Sequence, residues 1–214
     1  MSASEKEQIE ELQKWWKENG SSIVTGLLLG VSILVGGKAW FSYQDTQSLN
    51  ASNIYSVMMG ASQAGKQEDA RAQANKLITD YSGSAYAPLA SLLLARLAVQ
   101  EGELAAAQAQ LQWALDNAES VEVRHEARMR LVRVMIAQQQ YAPAAQLLAA
   151  VTEPGAYAHL YAELEGDLAV AEGDAARAAG AYKRALDTLP PQAPNQAYLM
   201  AKYEDVRGAG TEVQ

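Results

Sequence analysis

Residues 165–186 read EGDLAVAEGDAARAAGAYKRAL, and this stretch decides the fold. Small and apolar residues recur at helical spacing up to Ala171. A polar Glu172-Gly173-Asp174 break follows, and a second periodic run then carries Ala178, Tyr182 and Ala185 on one face. Two short helices joined by a tight turn are expected here. Working outward, the same arrangement returns at Ala64-Gly65-Lys66-Gln67, at Glu101-Gly102-Glu103-Leu104 and at Gln139-Gln140-Tyr141. Gly65, Gly102, Gln139 and Gly173 stand 37, 37 and 34 residues apart. Five places after each comes an alanine, at Ala70, Ala107, Ala144 and Ala178. Four further on lie Ala74, Leu111, Leu148 and Tyr182, and three more reach Leu77, Ala114, Val151 and Ala185. A period in the middle thirties with two helices per unit predicts a helical solenoid, whose small residues let neighbouring helices approach closely.

These residues resemble the tetratricopeptide repeat. The likeness is fullest in the last unit, where Gly166, Ala169, Gly173, Asp174, Ala178, Tyr182, Ala185, Leu186 and Pro190 follow its pattern in order. The second unit, with Leu94, Ala95, Gly102, Leu104, Ala107, Leu111, Ala114 and Leu115, comes next. The first and third units depart from it, with Ala74 in place of a large residue and Gln139 in place of glycine. Pro190, Pro191 and Pro194 then break the chain, and a helix from about Asn195 to Val206 is expected to cover the last apolar face, as terminal repeats require.

Composition agrees with an all-α fold. Helix formers dominate, and the 214 residues include one Phe and six Pro. From Asp45 onward 13 Lys and Arg face 20 Asp and Glu, a net of −7, which makes nucleic acid a poor partner. The chain has no cysteine, which excludes disulfides, thiolate metal sites and cysteine nucleophiles.

No charged residue occurs from Asn19 to Gly37, and the apolar run from Ile23 continues past Lys38 to Tyr43. A helix of that length rises about 31 Å, enough to cross a hydrocarbon core of roughly 30 Å. Trp15 and Trp16 precede it and Trp40, Phe41 and Tyr43 follow it, as rings at two membrane interfaces should, while Lys38 can extend toward the headgroups. Lys6, Lys14 and Lys17 lie before the run, and after Lys38 no basic residue appears until Lys66, a bias that places the N-terminus in the cytoplasm. A cleaved signal peptide fits poorly, because residues 1–18 carry five glutamates and no small-residue cleavage site follows Gly37 convincingly. Gly26 with Gly30, and Ser32 with Gly36, each place two small residues on one face of the span, a geometry suited to packing another helix. Ahead of it, Ser4 and Glu7 form a candidate capping box, and Ile9, Leu12 and Trp16 share one face of a helix expected to end near Gly20. That segment reads either as lying on the membrane surface or as an extension of the spanning helix.

The whole arrangement resembles the bacterial inner-membrane proteins of the YfgM type, described as ancillary subunits of the SecYEG translocon. Trp15-Trp16-Lys17-Glu18-Asn19-Gly20-Ser21, the glycine-bearing span and the Trp40-Phe41-Ser42-Tyr43-Gln44 exit carry the likeness, together with Ala87 to Leu92 and the Ala106 to Leu115 helix. The resemblance implies a periplasmic repeat domain working beside the SecYEG translocon with the membrane-anchored chaperone PpiD and assisting newly exported polypeptides. It divides the chain into a cytoplasmic amphipathic segment over 1–20, a transmembrane helix over 21–43, a periplasmic solenoid of about four repeats over 44–206 and a flexible tail over 207–214. A tethered scaffold for envelope assembly or cell division, without client holding, is the competing expectation.

Catalytic patterns are not evident. The two histidines, His125 and His159, fall in different repeats without a ligand partner at helical spacing, and His125 between Arg124 and Glu126 reads as a solvated position. Gly208-Ala209-Gly210 follows no strand, and acid pairs such as Glu163 with Asp167 read as surface charge. No cofactor, metal or enzymatic activity is expected. In a tetratricopeptide array the first helix of each pair lines the concave face. Projected onto it, Tyr55, Met59, Leu92, Arg96, Met129, Arg130, Arg133, Glu163 and Asp167 are the candidates for gripping a polypeptide, with methionines to adapt and arginines to clasp carboxylates. The plainer reading makes Leu92 and Met129 core and lets Arg124, Arg128, Arg130 and Arg133 pair with Glu122 and Glu126.

Overall fold

The computed structural model describes the backbone of residues 3–211 and the side chains of residues 8–22 and 24–208. All regular structure among them is helical. Two compact units, residues 1–50 and 51–214, are described in turn.

Helix α1 spans Ala3–Gln63. It passes through Gly20 without interruption, so the separate helix expected to end there does not form. One glycine within a run of helix formers costs about 1 kcal/mol, too little to break the helix, and the Trp16 ring covers the space beside Gly20. Ser4 and Glu7 fall outside the described side chains. From Val24 onward α1 is long and apolar enough to cross a membrane, and its most apolar 18 residues are not buried. Leu27, Leu28, Leu29, Ile33, Leu34 and Val35 point to several sides and are all exposed. An apolar surface running all round a helix is what a lipid solvent accepts and water does not. Polar groups near its start are bonded within the helix, the Asn19 amide to the Trp15 carbonyl at 3.0 Å and the Thr25 hydroxyl to the Ser21 carbonyl at 2.8 Å. Beside Gly26, Gly30 and Gly36 there is open space.

In the second unit the end of α1 packs with α2 (Gln67–Asp80) through Ala51, Met58, Ala70, Ala74 and Leu77, α3 (Tyr86–Gln100) pairs with α4 (Leu104–Asn117), α5 (Val121–Ala137) with α6 (Tyr141–Ala149), and α7 (Ala158–Ala171) with α8 (Ala175–Thr188). Helix α9 (Gln196–Thr211) closes the row. Each pair turns on the break residue identified in the sequence. Gly65, Gly102, Gln139 and Gly173 have φ of 73°, 80°, 59° and 80°, the left-handed region. The chain reverses there by one repeated device. In the second pair the Gly102 amide donates to the Val99 carbonyl at 3.1 Å and the Glu103 amide to Ala98 at 2.8 Å, and the same two bonds recur at Gly65, Gln139 and Gly173. The second helix of each pair starts two residues later.

The alanine positions explain the close stacking. Ala70, Ala107, Ala144 and Ala178 are fully buried, as are Ala74, Leu77, Ala114 and Ala185. The apolar interior forms three successive clusters along the row: Met58, Leu77 and Leu97 at the start, Leu111, Leu131, Val132 and Leu164 in the middle, and Tyr182 and Leu199 at the end. Helix α9 runs on to Thr211, past the expected end at Val206, so the tail proposed over 207–214 is helical as far as it is described. Residues 212–214 lie outside the described part. Burial of Leu199 and Val206 against α8 holds α9 in place, and nothing in Arg207-Gly208-Ala209 stops the helix once started.

Candidate functional site

The nine residues projected onto one face separate into three groups. Leu92 and Met129, only 8% and 3% exposed, are packed in the core and have no surface to offer a client. Their positions are a correction with a simple cause: α3 and α5 are covered by helices on both sides, so their apolar stripe is wider than one seam. Tyr55 and Met59 are half-buried against the first core cluster, with the Tyr55 ring 5.1 Å from that of Tyr86.

Glu163 and Asp167 hold the capping helix. The Lys202 ammonium, from α9, lies 2.7 Å from Glu163 and 2.8 Å from Asp167, and the Tyr182 hydroxyl donates to Asp167 at 2.8 Å. Burial alone would push the Lys202 pKa down, but its hydrogen bonds to Asp167 and Glu163 outweigh burial and hold it above the usual value. Burial pushes the Tyr182 phenol up, and the Asp167 carboxylate adds to the effect. Glu163 is only 7% exposed and Asp167 is partly buried, so both acids have an assigned cation and are not the free surface charge that their spacing implied.

Arg96, Arg130 and Arg133 form the third group, and the structure brings them together. They rim a cleft of about 350 Å³ between α3, α4 and α5, floored by Val99, Leu104, Leu111 and Val134 with alanines between. The first helices of the second and third pairs supply the arginines, and the second helix of the earlier pair supplies the leucines. The Arg96 guanidinium donates to the Ser62 hydroxyl at 2.7 Å, and Arg130 Nε donates to Glu126 at 2.6 Å. Arg133 has no hydrogen-bond or ion-pair partner among the described residues. The expected pairing of the whole α5 arginine series is therefore not what forms. Arg124 instead donates to the carbonyls of Ala118 and Glu119, both at 2.8 Å, and Glu122 is bonded by the Ser120 hydroxyl.

The sequence reading missed the cleft's floor because it followed only the first helices. Leu104 and Leu111 begin and centre α4, and Val99 sits three residues after Arg96 on α3, 44% exposed. It also misplaced His125. That ring is buried, stacked on Tyr157 at 4.3 Å, with Nδ1 hydrogen-bonded to the Tyr161 hydroxyl at 2.6 Å. Burial pushes its pKa down, and the nearby Arg128 and Arg124 push the same way. Its local neighbours are charged, but the tyrosines that cover it are more than thirty residues away and invisible to periodicity. Among the described residues no cluster of three or more His, Asp and Glu side chains could hold a metal ion.

Fold and cleft together define a helical-repeat protein carrying, among the described residues, one helix apolar enough to cross a membrane. Residues 13–208 match the model of the tetratricopeptide repeat-like domain family. The chain is 31% identical over 180 residues to the ancillary SecYEG translocon subunit of Escherichia coli strain K12, covering 84% of this chain and 86% of the relative. It is 30% identical over 184 residues to the protein of the same name from Haemophilus influenzae, covering 86% and 89%. The chain belongs to this family of tetratricopeptide repeat-like proteins, the one that includes the ancillary SecYEG translocon subunits.

Proposed function

We propose that the chain is a non-enzymatic interaction module anchored in the bacterial inner membrane beside the SecYEG translocon, where it acts as a chaperone or adaptor for newly exported polypeptides. The N-terminus is cytoplasmic and residues 44–206 are periplasmic, following the lysines before the span and their scarcity after it. The observation that carries the holding role is the arginine-rimmed apolar cleft, whose concavity and few placed polar groups are what a bound peptide segment requires. The relatives' printed name supports the translocon as neighbour. By resemblance, the membrane-anchored chaperone PpiD is a second partner, and the small faces at Gly26, Gly30, Ser32 and Gly36 offer a route for one span to pack on another.

Site-specific photocrosslinking in intact membranes tests this. Probes replacing Leu28 and Arg133 are expected to capture translocon subunits and exported chains, respectively. Capture of division or wall-building enzymes alone would favour a scaffold that holds no clients. Protease added to spheroplasts should digest the solenoid and spare residues ahead of the span.

A further inference from the structure

We propose that the cleft between α3, α4 and α5 selects polypeptide segments in which carboxylates flank an apolar side chain, a specificity that rests on the holding role set out above. From Asp45 onward the chain is −7, so its long-range field repels acidic polypeptides and favours basic ones. Acids are in excess, and basic side chains find them: Arg71, Lys76, Arg177, Lys183, Arg184, Lys202 and Arg207 all pair with carboxylates. Lys66, Arg96, Arg124, Arg128 and Arg133 do not, and of these only Arg96 and Arg133 are both exposed and part of the cleft lining.

These two guanidiniums line the same cleft from different helices, Arg96 on α3 and Arg133 on α5, and Arg130 beside them spends only its Nε on Glu126. No carboxylate lines the cleft, and its floor is apolar. An occupant with an apolar side chain for the floor would leave both guanidiniums without a carboxylate. Carboxylates on either side of that side chain satisfy them. Arginine binds a carboxylate through two parallel hydrogen bonds, and beside apolar surface the attraction is screened less than in open water. A basic segment would lose on the same count, because it would bring like charge to the walls.

The sign of this preference opposes the sign of the whole domain, which makes it testable. Three short fluorescent peptides share one apolar framework and differ only in carrying Glu, Gln or Lys between the apolar residues. Each is titrated by anisotropy against the full-length protein in detergent micelles. The Glu peptide is expected to bind about tenfold tighter than the Gln peptide, and the Lys peptide weakest of the three. Added salt should weaken the Glu peptide's binding, the reverse of what relief of long-range repulsion would produce. Combining Arg96→Gln with Arg133→Gln should abolish the preference with the thermal midpoint unchanged, while Arg71→Gln with Arg177→Gln should preserve it. Equal binding of all three peptides would overturn the selectivity and leave the holding role standing. Failure of all three to bind would overturn both. Anionic phospholipid vesicles that displace the Glu peptide as well as its unlabelled form does would assign the arginines to a membrane surface and also overturn the proposal.

Discussion

The third and fourth helical pairs are built on one plan from unequal materials, and the contrast shows what a degenerate repeat uses in place of the missing residues. The fourth pair has glycine at both critical points. Gly173 turns the chain, and Gly166 lets α7 approach α8 so closely that an added Cβ would lie 2.3 Å from the Tyr182 ring. The third pair turns on Gln139 at φ 59°, and its second helix has nine residues against fourteen in α8. Polar contacts fill the gap. The Gln138 amide donates to Gln108 at 2.9 Å and to the Leu104 carbonyl at 3.3 Å, and Gln108 in turn donates to Gln140 at 3.2 Å, tying the turn to the preceding pair. On the far side, His125 is enclosed by Tyr157 and Tyr161, where the connection after the short helix folds back over α5. Buried apolar side chains hold both pairs; the third adds amide contacts that tie its turn to the preceding pair, and the fourth adds the Tyr182–Asp167 bond between its own helices.

The strongest way to break this comparison lies at the end of the fourth pair. Lys202→Met leaves Glu163 buried without its cation and should lower unfolding stability by about 3 kcal/mol, as loss of one partner from a buried ion pair generally does. Adding Glu163→Gln to that variant should restore part of the loss in chemical denaturation, since no buried charge is then left alone. Because the pKa values of Lys202 and Tyr182 are both raised on folding, the stability they contribute is complete below about pH 10 and declines as pH rises further. Next in size, Gly166→Ala should cost about 2 kcal/mol by forcing α7 and α8 apart, read as a lower midpoint in the same denaturation. The equivalent test of the third pair has the opposite sign. Gln139→Gly should raise stability by about 1 kcal/mol, because glycine takes a positive φ without the steric strain that a side chain brings.

The smallest effect concerns pH. His125 has its pKa lowered on folding from the ordinary 6.5, so its contribution is complete above that value and is lost as pH falls. Burial is the main cause, with Arg128 and Arg124 on its own helix opposing the proton and Glu122 partly favouring it; Tyr157 and Tyr161 cover the ring. Thermal midpoints of the parent should therefore fall between pH 7 and pH 5 more than those of His125→Gln. Equal slopes would show that the ring is not shielded from solvent in solution.

Much of the fold was legible because each rule concerned residues near one another in the chain. Four turns, one at a residue other than glycine, follow from spacing alone, and so does the apolar segment after Ile23. The buried alanines were legible for the same reason: the count from the turn fixes which face they occupy. The run-through at Gly20 was not, since whether a helix stops at a glycine depends on flanking propensities too weak to decide by inspection. The arginines of the cleft were named by projection, but their floor was not, because it comes from a helix that the projection left out.

What the sequence determined by itself is periodic: two helices per unit, left-handed turns between them, and a segment too apolar for water. Local sterics and hydrophobic period act over a few residues, so their record is local. What only the tertiary structure decided is which charges meet. Asp167 and Arg133 look alike in the sequence, each a charge on the first helix of a pair. One is tied to Lys202, 35 residues away, and the other faces an open cleft, because partners for charged groups are set by how separate helices stack and no spacing within one helix encodes that.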